Sequence, residues 1–244
     1  MPNFFCENVK ENPIIKGKDA VHISKSLRMK PGEMINISDT KGTVYLCRIN
    51  TILADQVILE IVEKQDCESE PDIDITLYQG LVKGDKASYI IQKSVELGVK
   101  EIVFVAMQRS VSKPDNKSID KKLKRWNDIA LNAASQSGRG YIPKVRYIGA
   151  FDEALSESKE RGLALFFYEL GGVKVKQAVS PLVEKKETKC SIFIGPEGGF
   201  SLEESDKLRS NKAIATTLGK RILRTETAPI AALSIIMYLT DNMN

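Results

Sequence analysis

Ile194-Gly195-Pro196-Glu197-Gly198-Gly199-Phe200-Ser201 and, shortly after it, Leu218-Gly219-Lys220-Arg221-Ile222-Leu223-Arg224-Thr225-Glu226-Thr227-Ala228 are the stretches whose reading decides the fold. Each follows an apolar run of strand character, 190–194 and 214–218, and each precedes a helical pattern. A strand that ends in glycines and restarts as a helix is the turn of a parallel α/β sheet, where ligands sit at the carboxyl ends of strands. Two such turns place a site near the C-terminus. Ser201-Leu202-Glu203-Glu204 has the spacing of a capping box, so a helix is expected directly after the first loop.

Working outward, 73 onward reads as alternating strands and helices. Strand candidates at 75–78, 102–105, 163–167, 191–194 and 215–218 are separated by helical spacing, as in Ala87, Ile90, Ile91 and Val95, or Leu123, Trp126, Ala130 and Ala133. That alternation implies an α/β domain with a mainly parallel sheet over 73–244. The last helix, 227–239, is apolar on much of its surface, which predicts burial, in part against a second subunit. Residues 1–70 read differently: a short helix at 19–27, then β-like runs at 33–38, 43–50 and 56–62, punctuated by Pro31-Gly32 and Lys41-Gly42. This predicts a small β-barrel-type domain, with 63–74 as a polar linker.

Composition narrows the function. The 244 residues are 42% hydrophobic and 28% charged, as in ordinary globular proteins. No apolar run reaches the roughly 20 residues that span a bilayer, and the N-terminus lacks a signal-peptide layout, so a cytoplasmic protein is expected. Cys6, Cys47, Cys67 and Cys190 form no close pair, and His22 is the single histidine, so no metal site is expected. The net charge of +4 permits a polyanionic partner without requiring one. No G-x-x-x-x-G-K-[ST] and no G-x-G-x-x-G occurs; Gly138-Arg139-Gly140 lacks the third glycine and follows a helix rather than a strand. Glycines in the two late loops let backbone groups approach a ligand closely and read an adenine edge.

Those two loops resemble the cofactor loops of the SPOUT methyltransferases, and specifically of the RsmE family. The resemblance extends through 22–28, Lys83-Gly84-Asp85-Lys86, Gln92-Lys93, Glu96-Leu97-Gly98, Arg109-Ser110, Gln136-Ser137-Gly138-Arg139 and Pro143, in the family's order. Ser26 stands where the family pattern has an aliphatic residue, which bears on packing of the small domain. The resemblance implies an N-terminal PUA-like RNA-binding barrel and a C-terminal α/β domain with a trefoil knot. It implies a homodimer using S-adenosyl-L-methionine to methylate N3 of a uridine in 16S small-subunit rRNA near the decoding centre. The alternatives are a non-catalytic RNA-binding ribosome-assembly protein on the same fold and a nucleotide-using enzyme of another chemistry.

Under that resemblance, cofactor contacts come from Phe167, Glu169 and Gly171, from Ile194, Gly195, Pro196, Glu197, Gly198 and Gly199, and from Leu218, Gly219, Arg221, Ile222 and Leu223. N3 methylation requires removal of the imide proton or stabilisation of the resulting anion. A guanidinium does the latter, and Arg224 is the candidate. A carboxylate does the former, with Glu197 and Glu226 both open. RNA contacts are expected from Arg28, Lys30, Lys83, Lys86, Lys93, Arg109, Gln136 and Arg139. A second basic stretch, Lys113, Lys117, Lys121, Lys122, Lys124 and Arg125, reads as a solvated helix face.

Overall fold

The computed structural model describes residues 1–111 and 116–243. The chain divides into two compact units, Met1–Glu70 with Asn132–Ile142, and Pro71–Leu131 with Pro143–Asn244. The segment Asn132–Ile142 thus belongs with the N-terminal unit, which a single cut near residue 70 does not anticipate.

In the first unit the strands are β1 (Asn3–Phe5), β2 (Ile14–Lys16), β3 (Met34–Ser38), β4 (Thr43–Ile52) and β5 (Gln56–Asp66). They pair in the order β1-β3-β4-β5-β2. The long β4–β5 hairpin carries register shifts between Leu46 and Cys47 and between Ile49 and Thr51, the kind of irregularity that bends a ladder. Alternate residues Ile35, Ile37, Cys47, Ile49, Val57 and Leu59 turn inward to one core, as period-two patterning requires. The helix α1 (Lys18–Val21) and the π-helical turn His22–Ser26 add Ala20 and Ile23 to that core. Two expectations change here. The short strands β1 and β2 carry too few residues to show periodicity. The polar run 63–66, expected as linker, instead continues β5, its backbone held by Thr43–Leu46 of β4 despite its exposed side chains.

The second unit holds a seven-stranded sheet, β10-β12-β9-β11-β6-β7-β8, with every pairing parallel. Its strands are β6 (Asp74–Gly80), β7 (Glu101–Val105), β8 (Lys144–Ile148), β9 (Leu163–Phe167), β10 (Val173–Lys174), β11 (Lys189–Ile194) and β12 (Ile214–Thr217). The helices are α2 (Lys86–Glu96), α3 (Asn116–Gln136, whose residues from Asn132 onward fall in the first unit), α4 (Phe151–Ser158), α5 (Val175–Ala178), α6 (Ser180–Val183), α7 (Leu202–Ser210) and α8 (Ala228–Leu239). Residues from α4 and α7 share a core with Tyr78, Val103, Phe166 and Phe193. Trp126 of α3 packs against Phe104 with ring centroids 4.4 Å apart and the planes tilted by 36°; Phe104 is the neighbour of Val103 and so lies on the opposite face. β8 escaped sequence reading because its charged and aromatic residues break the apolar run.

Strand order explains where a ligand can go. From β6 the chain moves outward through β7 to β8, whereas β11 connects to β12 on the other side. The order reverses between β6 and β11, the position at which open α/β sheets leave a crevice.

Candidate functional site

The loops after β9, β11 and β12 converge on one cavity of about 560 Å³ at the carboxyl ends of those strands. Its walls include Phe167, Glu169, Ile194, Gly195, Pro196, Glu197, Gly198, Gly199, Leu218, Gly219, Arg221, Ile222, Leu223, Arg224 and Glu226. Of the expected cofactor residues, Gly171 alone is not part of the lining. Tyr168, Thr217, Lys220, Thr225 and Ala228 line it in addition, and so does Lys86.

Close packing of backbone builds the floor. A Cβ at Gly80, the last residue of β6, would overlap Pro196, at 2.5 Å from its Cδ and 2.9 Å from the Gly195 carbonyl carbon. Only a residue without a side chain lets the Pro196 loop lie on the end of β6. Gly199, at φ +68°, turns the chain, and a Cβ there would run into the Glu169 carboxylate. The loop then enters α7 through both halves of the expected capping box: Glu204 N–H donates to Ser201 Oγ at 3.1 Å, and Ser201 N–H donates to Glu204 Oε2 at 2.9 Å.

A buried polar link joins the two glycine-rich loops. Gln79 Nε2 donates to Thr225 Oγ1 at 2.9 Å, and Thr225 Oγ1 donates to the Gly195 carbonyl at 2.7 Å. Gln79 is fully buried, and its Oε1 has no hydrogen-bond partner among the described residues. Neither residue was anticipated. The available signal was a glutamine closing the apolar run Ile75–Tyr78, since a buried amide must find partners.

Charge is arranged around one ammonium. Lys86 Nζ lies 3.2 Å from Glu197 Oε1 and 3.4 Å from Glu226 Oε2. Glu197 Oε1 also accepts the Lys83 N–H at 3.1 Å. Partial burial raises the Glu197 carboxyl, but the backbone N–H groups of Lys83 and Glu197 and the Lys86 ammonium outweigh it, holding the group below the ordinary carboxylate value. Arg224 is exposed, and among the described residues its guanidinium has no ion-pair or hydrogen-bond partner. Its carbonyl accepts from the N–H groups of Thr227 and Ala228, a turn that fixes its backbone ahead of α8.

The expected RNA contacts are scattered among different environments. Arg28, Lys30, Lys83 and Gln136 are exposed. Lys93 is bound to Glu96 at 2.8 Å. Arg109 donates to the Gly198 carbonyl at 3.1 Å, so part of its guanidinium holds the 194–199 loop. Arg139 departs from the expectation: it is 2% exposed and paired with Glu70 at 2.7 Å, so its charge is enclosed in the first unit. Glu70 also accepts the N–H groups of Gly140 and Tyr141. A buried, paired guanidinium is not available to a phosphate, and Arg139 organises its loop instead. Of the second basic stretch, Lys113 and the side chain of Lys117 lie outside the described residues, and Arg125 faces Asp85 at 3.4 Å on the surface. Among the described residues no cluster of His, Cys, Asp or Glu is placed to hold a metal ion, and no helix is long and apolar enough to cross a membrane.

Comparison with known proteins matches both units. A family described as an RNA methyltransferase domain matches residues 68–237, and one described as an RNA methyltransferase PUA domain matches 15–62. The ribosomal RNA small subunit methyltransferase E of Bacillus subtilis (strain 168) is 34% identical over 251 residues, covering 99% of this chain and 98% of that protein. The protein of the same name from Aquifex aeolicus (strain VF5) is 31% identical over 235 residues, covering 96% and 98%. Among solved structures, a ribosomal RNA small subunit methyltransferase E from Neisseria gonorrhoeae bound to S-adenosyl methionine superposes with a TM-score of 0.87 at 31% identity, covering 98% of each chain.

Proposed function

Because the chain belongs to the ribosomal RNA small subunit methyltransferase E family, we propose that it transfers a methyl group from S-adenosylmethionine to N3 of a uridine in 16S rRNA near the decoding centre. The observation that carries this reading is the cavity between the two glycine-rich loops, with an unpaired guanidinium and a carboxylate on its wall. The residues present fit the cofactor. The cavity is of small-molecule size, where pockets run about 300–1,000 Å³. Phe167, Ile194, Leu218, Ile222 and Leu223 offer apolar walls, and the 194–199 and 218–223 backbones offer edges for a purine. Glu169 stands beside Gly199 for polar groups of the ligand.

When bound, the cofactor supplies an electrophilic methyl on a sulfonium sulfur. The protein prepares the nucleophile. Arg224 stabilises the negative charge that develops on a uridine carbonyl oxygen as N3 loses its proton. Glu226 accepts that proton. Glu197 is the less free of the two carboxylates, because its Oε1 already accepts the Lys83 N–H as well as the Lys86 ammonium. Arg28, Lys30 and Lys83 serve as phosphate contacts, with Gln136 beside them as a polar one. The knot, the homodimer and the cytoplasmic location belong to the same proposal, and the dimer is supported by the apolar exposed side of α8.

The test is methyl transfer from labelled S-adenosylmethionine to small-subunit rRNA, free and in assembled subunits, with calorimetric titration of the cofactor alone. A single methyl that blocks base pairing at one uridine is the expected product. Arg224→Ala is expected to lower turnover by roughly 10²–10³-fold while keeping fold and cofactor affinity. Absence of both cofactor binding and transfer would overturn the reading; unchanged turnover in Arg224→Ala would remove that residue from the mechanism.

A further inference from the structure

Lys86 begins α2, and its ammonium is the point at which two separate loops meet. It contacts Glu197 of the loop after β11 at 3.2 Å and Glu226 of the turn before α8 at 3.4 Å. The two glutamates differ in what else supports them. Glu197 Oε1 has the Lys83 N–H as a second donor. Glu226 Oε2 is closed to water and has no hydrogen bond among the described residues, so the Lys86 ammonium is its compensation.

A carboxylate oxygen sealed from water is costly unless a positive charge faces it, and two carboxylates drawn to one place repel each other. One ammonium between them removes both penalties. The same lysine is thereby withdrawn from bulk solvent: its side chain is 32% exposed, against 66% for Arg125, which pairs with the adjacent Asp85 on the surface. The expected role for Lys86, a contact to RNA phosphate, needs a charge that is free to be neutralised.

We infer that Lys86 is a positioning residue for methyl transfer, coupling the cofactor loop to the Arg224–Glu226 turn and setting the place and charge environment of Glu226. The inference rests on the methyltransferase reading above. Lys86 stands on the cavity wall with its ammonium directed to the two carboxylates, and it acts through Glu226. Removing its charge leaves an uncompensated buried oxygen, and the turn rearranges to expose it, carrying Arg224 along.

The experiment compares wild type, Lys86→Met, Lys86→Arg, Glu226→Gln and the Lys86→Met/Glu226→Gln double variant, each as the full chain. Single-turnover methyl transfer, calorimetric cofactor affinity and rRNA binding across a salt series are measured on protein whose thermal midpoint shows it folded. Lys86→Met is expected to slow transfer on the order of 10²-fold, the scale of a lost acid–base group. Its rRNA affinity and salt slope should match wild type, and Lys86→Arg should recover most of the rate. The double variant should be no slower than Glu226→Gln alone, because residues acting as one unit do not add. If Lys86→Met folds poorly, Lys86→Gln carries the same test, since it keeps hydrogen bonding and removes the charge.

Three results overturn the inference: a Lys86→Met rate near wild type, additive losses in the double variant, or a salt slope reduced by about one, the signature of a lost phosphate contact. A wild-type protein that transfers no methyl overturns the methyltransferase reading, and the inference falls with it. An active wild type beside an equally active Lys86→Met overturns the inference alone.

Discussion

Gly198 shows how one missing side chain shapes the site. A Cβ built there would sit 3.0 Å from Arg109 Cβ and 3.3 Å from the Arg109 carbonyl oxygen. The space beside Gly198 is therefore filled by the stem of Arg109, whose guanidinium reaches back to the Gly198 carbonyl. A valine at 198 would meet Arg109 before it reached the ligand cavity, and its effect on binding would come through displacement of the loop. Overpacking of this kind costs about 1–3 kcal/mol. Gly198→Val is expected to weaken cofactor binding at least about tenfold, the equivalent of some 1.4 kcal/mol, with the global fold retained. Calorimetry beside a thermal melt checks this; wild-type affinity would mean that Arg109 yields without moving the loop.

At the scale of elements, the end of the sheet opposite the cavity is held by charge. Glu101 at the start of β7 bonds Arg146 of β8 and Arg161 after α4, each at 2.5 Å. Glu157 of α4 bonds the same two arginines at 2.7 and 2.8 Å and accepts from Tyr78 of β6 at 2.8 Å. Burial raises both carboxyls, but the arginine hydrogen bonds prevail and hold Glu101 and Glu157 below their ordinary values. A carboxyl lowered in the folded state adds stability above its unfolded value, near pH 4.3, and loses it as pH falls through the folded value. Wild type should therefore exceed Glu101→Gln in urea midpoint at pH 6, and the gap should narrow as pH drops toward 3. A gap independent of pH would show that the glutamate acts by shape rather than charge. The Tyr78 hydroxyl, buried against Glu157, is pushed up and stays protonated throughout that range.

At the scale of the whole molecule, α8 leaves part of its apolar surface uncovered. Along α8, Ala232, Leu233, Ile236 and Met237 are buried, whereas Ile235 is 38% and Tyr238 65% exposed. Ile235 and Tyr238 lie three residues apart on one side of the helix, and a contiguous exposed apolar patch marks an association surface. If this face forms the proposed homodimer, Ile235→Asp with Tyr238→Asp should convert the protein to a monomer in sedimentation velocity. A double variant that sediments as wild type would place the interface elsewhere.

The patterns that needed only local physics could be read from the chain itself. Alternation of apolar strands with helical spacing determined the parallel α/β architecture. Glycines after 190–194 and 214–218 marked the loops that line the cavity, and Ser201 with Glu204 determined where α7 starts. These signals lie within a few residues of one another, so the backbone geometry they demand is local. What depended on partners distant in sequence was decided by the tertiary structure. Lys86 became a bridge only because β6 and β11 are neighbours in the sheet. Gln79 found Thr225 across 146 positions of chain, and Arg139 was enclosed because Glu70 reaches it. Charge, unlike periodicity, does not reveal in one dimension whether a lysine or arginine meets a phosphate or a carboxylate; that is settled by which loops the fold brings within about 4 Å.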